Sequence, residues 1–182
     1  APNANGRRTL YLDISQRRKL VQKTSKEAAP FVRALCLLPL RPGALAALTV
    51  GDFGKRTSEL TIGKDKTGKP RRIQLPQEAA RLLAAQAKNK LPGAPLFMRA
   101  NGKAWNKNSW KLPIATAVDA GGLPGGATAY TLRHSTITDL VIAGLPLLTI
   151  AQISGTSAEM IERHYGHLAG DAAVKALSKL SI

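Results

Sequence analysis

The sequence predicts a mainly helical domain (α+β) carrying one small antiparallel β-hairpin or three-stranded sheet. Apolar residues recur at helical spacing along most of the chain, and only the stretch from Glu59 to Leu75 switches to short strand-like runs. At 182 residues and 44% apolar content, the chain is long enough to bury one sizeable core. No linker or internal repeat divides it, so a single domain over 1–182 is expected.

The elements follow in order. Leu20 and Val21, then Ala28 to Leu40, predict two helices with Ser15 and Ser25 as N-caps, leading into Pro39-Leu40-Arg41-Pro42-Gly43 and a further turn or two to Leu48. Glu59-Leu60-Thr61-Ile62 and Arg72-Ile73-Gln74-Leu75 predict two strands, joined across Lys64 to Pro70 by a basic, turn-rich tip. Pro76 opens a helix running to about Lys88, and the Pro, Gly and Asn residues from Lys90 to Gly102 predict a loop. A helix over Asn106 to Ala120 ends at the breaker Gly121-Gly122-Leu123-Pro124-Gly125-Gly126. Helices over Tyr130 to Ala143, Leu147 to Ile153 and Ser157 to about His164 complete the body, and Ala172 to Leu180 is amphipathic.

Charge narrows the partners. Lys plus Arg is 27 against 11 Asp plus Glu, a net +16, which a folded surface holds most comfortably against a polyanion. Apolar runs such as Leu145 to Ile150 are far too short to span a membrane, so nucleic acid is the expected partner. Aromatic residues are only 4% of the chain, too few for a platform that stacks single-stranded bases, which favours duplex DNA. The lone Cys36 excludes an internal disulfide and a cysteine-rich zinc site, and Ala1 to Arg8 lacks an apolar signal segment. A cytoplasmic, nucleoid-associated location is expected.

Several residues could carry phosphate chemistry. Arg41 lies in the turn after an apolar helix, Arg133 at the start of another, and Tyr165 near the end of a third. Two guanidiniums can grip the non-bridging oxygens of one phosphodiester, and their charge would lower the pKa of a nearby phenol so that it attacks phosphorus. Lys66 on the hairpin tip would then protonate a departing oxygen, with no metal required. Gly63 to Lys69 mimics a phosphate loop, but Pro70 replaces the magnesium-binding hydroxyl and a strand follows, so nucleotide binding is rejected. His164 and His167 lack a third ligand for zinc, and His134 is expected to brace the Arg133 helix through a backbone hydrogen bond. The runs Arg7-Arg8, Arg17-Arg18-Lys19 and Arg71-Arg72 are candidate phosphate contacts.

Five segments, in order, carry a resemblance. Leu38-Pro39-Leu40-Arg41-Pro42-Gly43 with Leu48-Thr49-Val50-Gly51-Asp52 resembles the first arginine box of the tyrosine recombinase (phage integrase) family. Lys66-Thr67-Gly68-Lys69-Pro70-Arg71-Arg72-Ile73 is similar to its lysine hairpin, and Tyr130-Thr131-Leu132-Arg133-His134-Ser135 to its second arginine box. Ile153-Ser154-Gly155-Thr156-Ser157 and Glu162-Arg163-His164-Tyr165-Gly166-His167 resemble the two segments that close the family's site.

The resemblance, from about Tyr11 to Ala169, implies the catalytic-domain fold and a metal-free, cofactor-free exchange of DNA strands. It makes Tyr165 the nucleophile, Arg41 and Arg133 the phosphate-binding pair and Lys66 the general acid. Tyr130 and Thr156 supply supporting hydrogen bonds, and Lys64, Lys69 and Arg71 join the DNA contacts. It further implies a missing N-terminal DNA-binding domain, a tetramer on DNA from a chain that is monomeric when free, and exchange contacts from 170–182. The chain departs from the family's pattern at Ala44, where an acidic residue is common, at Tyr130, where His is usual, and at Thr156, where His or Trp is expected. The alternative expectation is therefore a DNA-binding module that keeps the fold without turnover. A basic RNA-binding protein would account for the charge but not for the ordered motifs.

Overall fold

A computed structural model describes residues 10–63, 70–180 and 182. Its helices are α1 (Ile14–Lys23), α2 (Ala29–Leu37), α3 (Pro42–Ala46), α4 (Gln77–Ala87), α5 (Lys107–Ala120), α6 (Ala129–Ile142), α7 (Leu147–Ser154), α8 (Ala158–Tyr165) and α9 (Gly170–Leu177). Between α3 and α4 lies an antiparallel sheet of β1 (Phe53–Gly54), β2 (Glu59–Ile62) and β3 (Arg71–Gln74), in the order β1-β2-β3. Leu60 pairs with Phe53 on one side and Ile73 on the other. The predicted class is the observed one.

Local chemistry moves some boundaries. The cap of α1 is Asp13 rather than Ser15, because the Asp13 carboxylate accepts from the Gln16 N–H while the Gln16 side chain accepts from the Asp13 N–H. Ser25 does not cap α2 directly; its carbonyl accepts from the N–H groups of Ala28 and Ala29, forming a turn just ahead of the helix. The predicted run to Leu40 stops at Leu37, since the residue before Pro39 is driven to extended backbone. The strand after the hairpin tip starts one residue early, at Arg71. The tip itself, 64–69, lies outside the described residues.

The main core gathers around α2. Phe31 stacks on Trp105 and Trp110 and meets Phe97 edge-on, with ring centroids 5.5 to 6.0 Å apart. Leu35, Leu40, Leu45, Leu83 and Leu132 close around it. A smaller cluster under the second half of α6, formed by Ile137, Val141, Ile150, Ala151 and Ile161, fastens α7 and α8. Tyr165 packs against that cluster, so the end of α8 is tethered to α6. Cys36 is half-buried, and burial pushes its thiol up to about 12, as suits a small hydrophobe. No helix among the described residues is long and apolar enough to cross a membrane.

Candidate functional site

Four separate segments meet where α7 ends. Gly155 adopts φ +74°, a left-handed conformation natural to glycine, and its N–H and that of Thr156 both turn back to the Ala151 carbonyl. This closure leaves the carbonyls of Ser154 and Gly155 available to side chains from elsewhere. Arg41, held extended ahead of Pro42 and α3, donates from Nη1 to the Gly155 carbonyl at 2.7 Å. Arg133, buried on α6, donates from Nη1 to the Ser154 carbonyl at 3.0 Å and to the Pro39 carbonyl at 2.9 Å. Two consecutive carbonyls therefore set two guanidiniums side by side.

A third guanidinium joins them. Arg71 of β3 lays its guanidinium over Gly155, in the space that a β-carbon would occupy. Burial, then Arg41 and Arg71, press the Arg133 pKa down to about 10, while Tyr165 and Tyr130 pull it back up. Arg133 thus keeps its charge at neutral pH within a cluster of like charge. Carbonyls fix Arg41 and Arg133 without neutralising them, and each of these two guanidiniums has N–H groups beyond those bonded to the carbonyls. Such a centre is made to receive an anion. Beside it, Arg71, Arg72, Gly155, Thr156 and Ser157 line an open cleft of about 560 Å³.

Tyr165 reaches this centre from the last position of α8. Its hydroxyl shares a 2.9 Å hydrogen bond with Nδ1 of His134, and the two rings lie 5.3 Å apart at 35°. The expected lowering of its pKa is not found. Burial raises the phenol and outweighs the opposing pull of Arg133.

The other expected positions divide. Thr156 is half-buried at the cleft, and Tyr130, in the first turn of α6, is 58% exposed, and its side chain makes no hydrogen bond among the described residues. Lys64, Lys66 and Lys69 lie outside the described residues, as do Arg7 and Arg8. Arg17 is no phosphate contact, because it is buried in an ion pair with Asp139, which also accepts from the Tyr11 hydroxyl at 2.7 Å. His134 is the residue that sequence reasoning misplaced: its ring reaches the phenol instead of bracing the helix backbone. Only its place beside Arg133 hinted at this. The carbonyls of Pro39, Ser154 and Gly155 carry no sequence signal at all. Among the described residues, no three His, Cys, Asp or Glu side chains gather to hold a metal ion.

The sequence over residues 11–171 matches the model of the phage integrase family. The chain belongs to that family. The tyrosine recombinase XerC of Pelobacter propionicus is 26% identical over 191 residues, covering 98% of this chain and 62% of the relative. This phage integrase family chain thus spans about three-fifths of that relative's length. Among solved structures, the Tn1549 transposon integrase in complex with a circular intermediate DNA superposes with a TM-score of 0.80 at 19% identity, over 94% of this chain and 66% of that one. The catalytic domain of bacteriophage HP1 integrase gives 0.69 at 21% identity, over 92% of this chain and 93% of that one. XerA recombinase gives 0.72 at 20%, over 93% and 65%. These likenesses establish a shared fold.

Proposed function

We propose that the chain is the catalytic domain of a site-specific DNA recombinase or integrase that cleaves and rejoins strands through a 3′-phosphotyrosyl intermediate. One observation carries the reading: Arg41 and Arg133 are fixed on the adjacent carbonyls of Gly155 and Ser154, with the Tyr165 hydroxyl beside them. The two guanidiniums hold the non-bridging oxygens of the scissile phosphate and stabilise the charge that grows on them during attack. Tyr165 displaces the 5′ oxygen, which takes a proton from Lys66. Thr156 and Tyr130 add hydrogen bonds at the rim, and Lys64, Lys69 and Arg71 bind the flanking backbone. Each step exchanges one phosphodiester for another, so no nucleotide cofactor is needed.

Duplex DNA is the partner in this reading, supported by the +16 charge and by the DNA complex in which the Tn1549 integrase was solved. The active assembly is a tetramer formed on DNA by chains that are monomeric when free. Residues 170–182 supply the exchange contacts, in keeping with the exposure of Val174, Leu177 and Leu180. In this reading the protein acts at the bacterial nucleoid.

Covalent trapping tests the central claim. The chain and a Tyr165→Phe variant are incubated with a library of nicked, partly randomised duplexes, denatured, and probed for protein-linked strands. An adduct formed only with Tyr165 is expected. Salt-sensitive duplex binding without any adduct would favour a binding module instead.

A further inference from the structure

The phenol that attacks must lose a proton, and the arginines around it cannot take one. Among the described residues, the group hydrogen-bonded to the Tyr165 hydroxyl is Nδ1 of His134, at 2.9 Å. Tyr130, whose side chain also acts electrostatically on Arg133, is exposed and, among the described residues, makes no hydrogen bond to the phenol. We propose that His134 is a catalytic residue of strand cleavage, its Nδ1 accepting the Tyr165 proton as the phenol oxygen attacks phosphorus.

The inference rests on the strand-cleavage reading and assigns a role to a side chain which that reading leaves without one. The step balances. The Tyr165 O–H bond breaks and its proton passes to Nδ1, forming an imidazolium. The oxygen's electron pair makes the new O–P bond, and the P–O5′ bond breaks, its electrons leaving with the 5′ oxygen, which is protonated by the separate acid assigned to Lys66. On rejoining, the 5′ oxygen attacks phosphorus and its proton returns to Lys66, while the O–P bond to Tyr165 breaks and the imidazolium returns its proton to the phenol oxygen.

The surroundings suit a neutral base. Burial lowers the His134 pKa from 6.5, so the ring is unprotonated at neutral pH and has a lone pair to offer. Burial also raises the phenol, so a resting phenolate–imidazolium pair does not form, and the proton moves only as the O–P bond develops. The charged and titratable neighbours are few. Arg133 precedes His134 on α6, and Arg41 and Arg71 complete the cationic cluster. Of the elements packed on α6, α3 and α7 carry no titratable side chain, and α2 turns Arg33 and Cys36 into a groove shared with α1. Lys107, Lys111 and Asp119 of α5, and His167 after α8, are exposed to solvent.

Single-turnover cleavage of a nicked duplex by the whole chain is compared among wild type, His134→Ala, His134→Asn and Tyr165→Phe. Asparagine retains an oxygen acceptor near the Nδ1 position but does not titrate over this range. Both His134 variants are expected to cleave about 10²- to 10⁴-fold more slowly, with duplex affinity within about twofold of wild type. The wild-type rate should show an acid limb lying below the ordinary imidazole value of about 6.5, and His134→Asn should lack that limb. A substrate with sulfur at the bridging 5′ position, whose leaving group needs no acid, should not rescue either variant.

Wild-type rates in His134→Asn, an unchanged acid limb in that variant, or rescue by the sulfur substrate would each overturn the assignment. The last would place His134 at the leaving group. If wild type itself forms no adduct, the strand-cleavage reading fails instead. Independently of turnover, nitrogen NMR of the His134 ring should show Nδ1 unprotonated and perturbed in Tyr165→Phe; a proton resident on Nδ1 would overturn the proposal.

Discussion

At the scale of single residues, Gly155 does two jobs that conflict for any other side chain. It takes a left-handed backbone, and it leaves room for the Arg71 guanidinium. Gly155→Ala is expected to lose about 1–2 kcal/mol of stability in urea unfolding from the backbone alone, and to displace Arg71 as well. Arg133→Lys replaces a fork that spans the Pro39 and Ser154 carbonyls with a compact ammonium. A loss of about 1.5–3 kcal/mol is expected in the same assay, with loss of the proposed strand cleavage. The pKa shifts also fix a pH profile for the free chain. The folded pKa of His134 lies below its unfolded value near 6.5, so the unfolded chain binds the extra proton and stability falls as pH drops below that value. Tyr165 lies above 10, so the unfolded chain sheds its proton first and stability falls as pH rises past 10. Tyr165→Phe should remove its alkaline contribution and His134→Asn its acid one, as read by thermal unfolding across pH.

At the scale of elements, the site depends on how α6 is held. Arg17 of α1 pairs with Asp139 of α6, and the Leu12 N–H donates to the Ser135 hydroxyl at 3.0 Å, binding the entry to α1 onto the same helix. Asp139→Ala would leave the buried Arg17 guanidinium without its carboxylate, keeping only the Nε bond to the Asp13 carbonyl, and a loss of about 1.5–3 kcal/mol is expected in denaturant unfolding. Most elements were legible because apolar spacing and breakers agree: Asn106 caps α5, and Gly121 ends it, as the pattern implies. Pro113 lies inside α5 without ending it, because Trp110, Ile114, Ala117 and Val118 are buried along one side of the helix. Pro113→Ala restores a backbone donor and is expected to raise the unfolding midpoint, by up to about 3 kcal/mol in stability. The two-residue strand β1 was not legible, since a run that short has no alternation to detect.

At the scale of the molecule, the net charge of +16 dominates. Without a polyanion the surface repels itself, so moderate salt should stabilise the free chain while weakening duplex binding. Binding measured from 50 to 200 mM salt is expected to fall steeply and linearly on logarithmic axes. The cluster of Arg41, Arg71 and Arg133 concentrates the same repulsion in one place, and the phosphodiester of the proposed substrate would relieve it. Added duplex should therefore raise the melting temperature.

By itself, the sequence determined the α+β class, the order of the elements and the positions of Arg41, Arg133 and Tyr165, because helical periodicity, breakers and ordered motifs are local properties of the chain. It also determined the basic character of the whole, which is a sum over residues. Only the tertiary structure decided what holds the arginines, since backbone carbonyls carry no residue signature and the one that holds Arg41 lies 114 positions away, at Gly155. It likewise decided that burial, rather than the arginines, governs the Tyr165 phenol, and that Arg17 serves the core instead of the surface. Desolvation and partner choice arise from packing between distant elements, and only the folded chain brings those elements together.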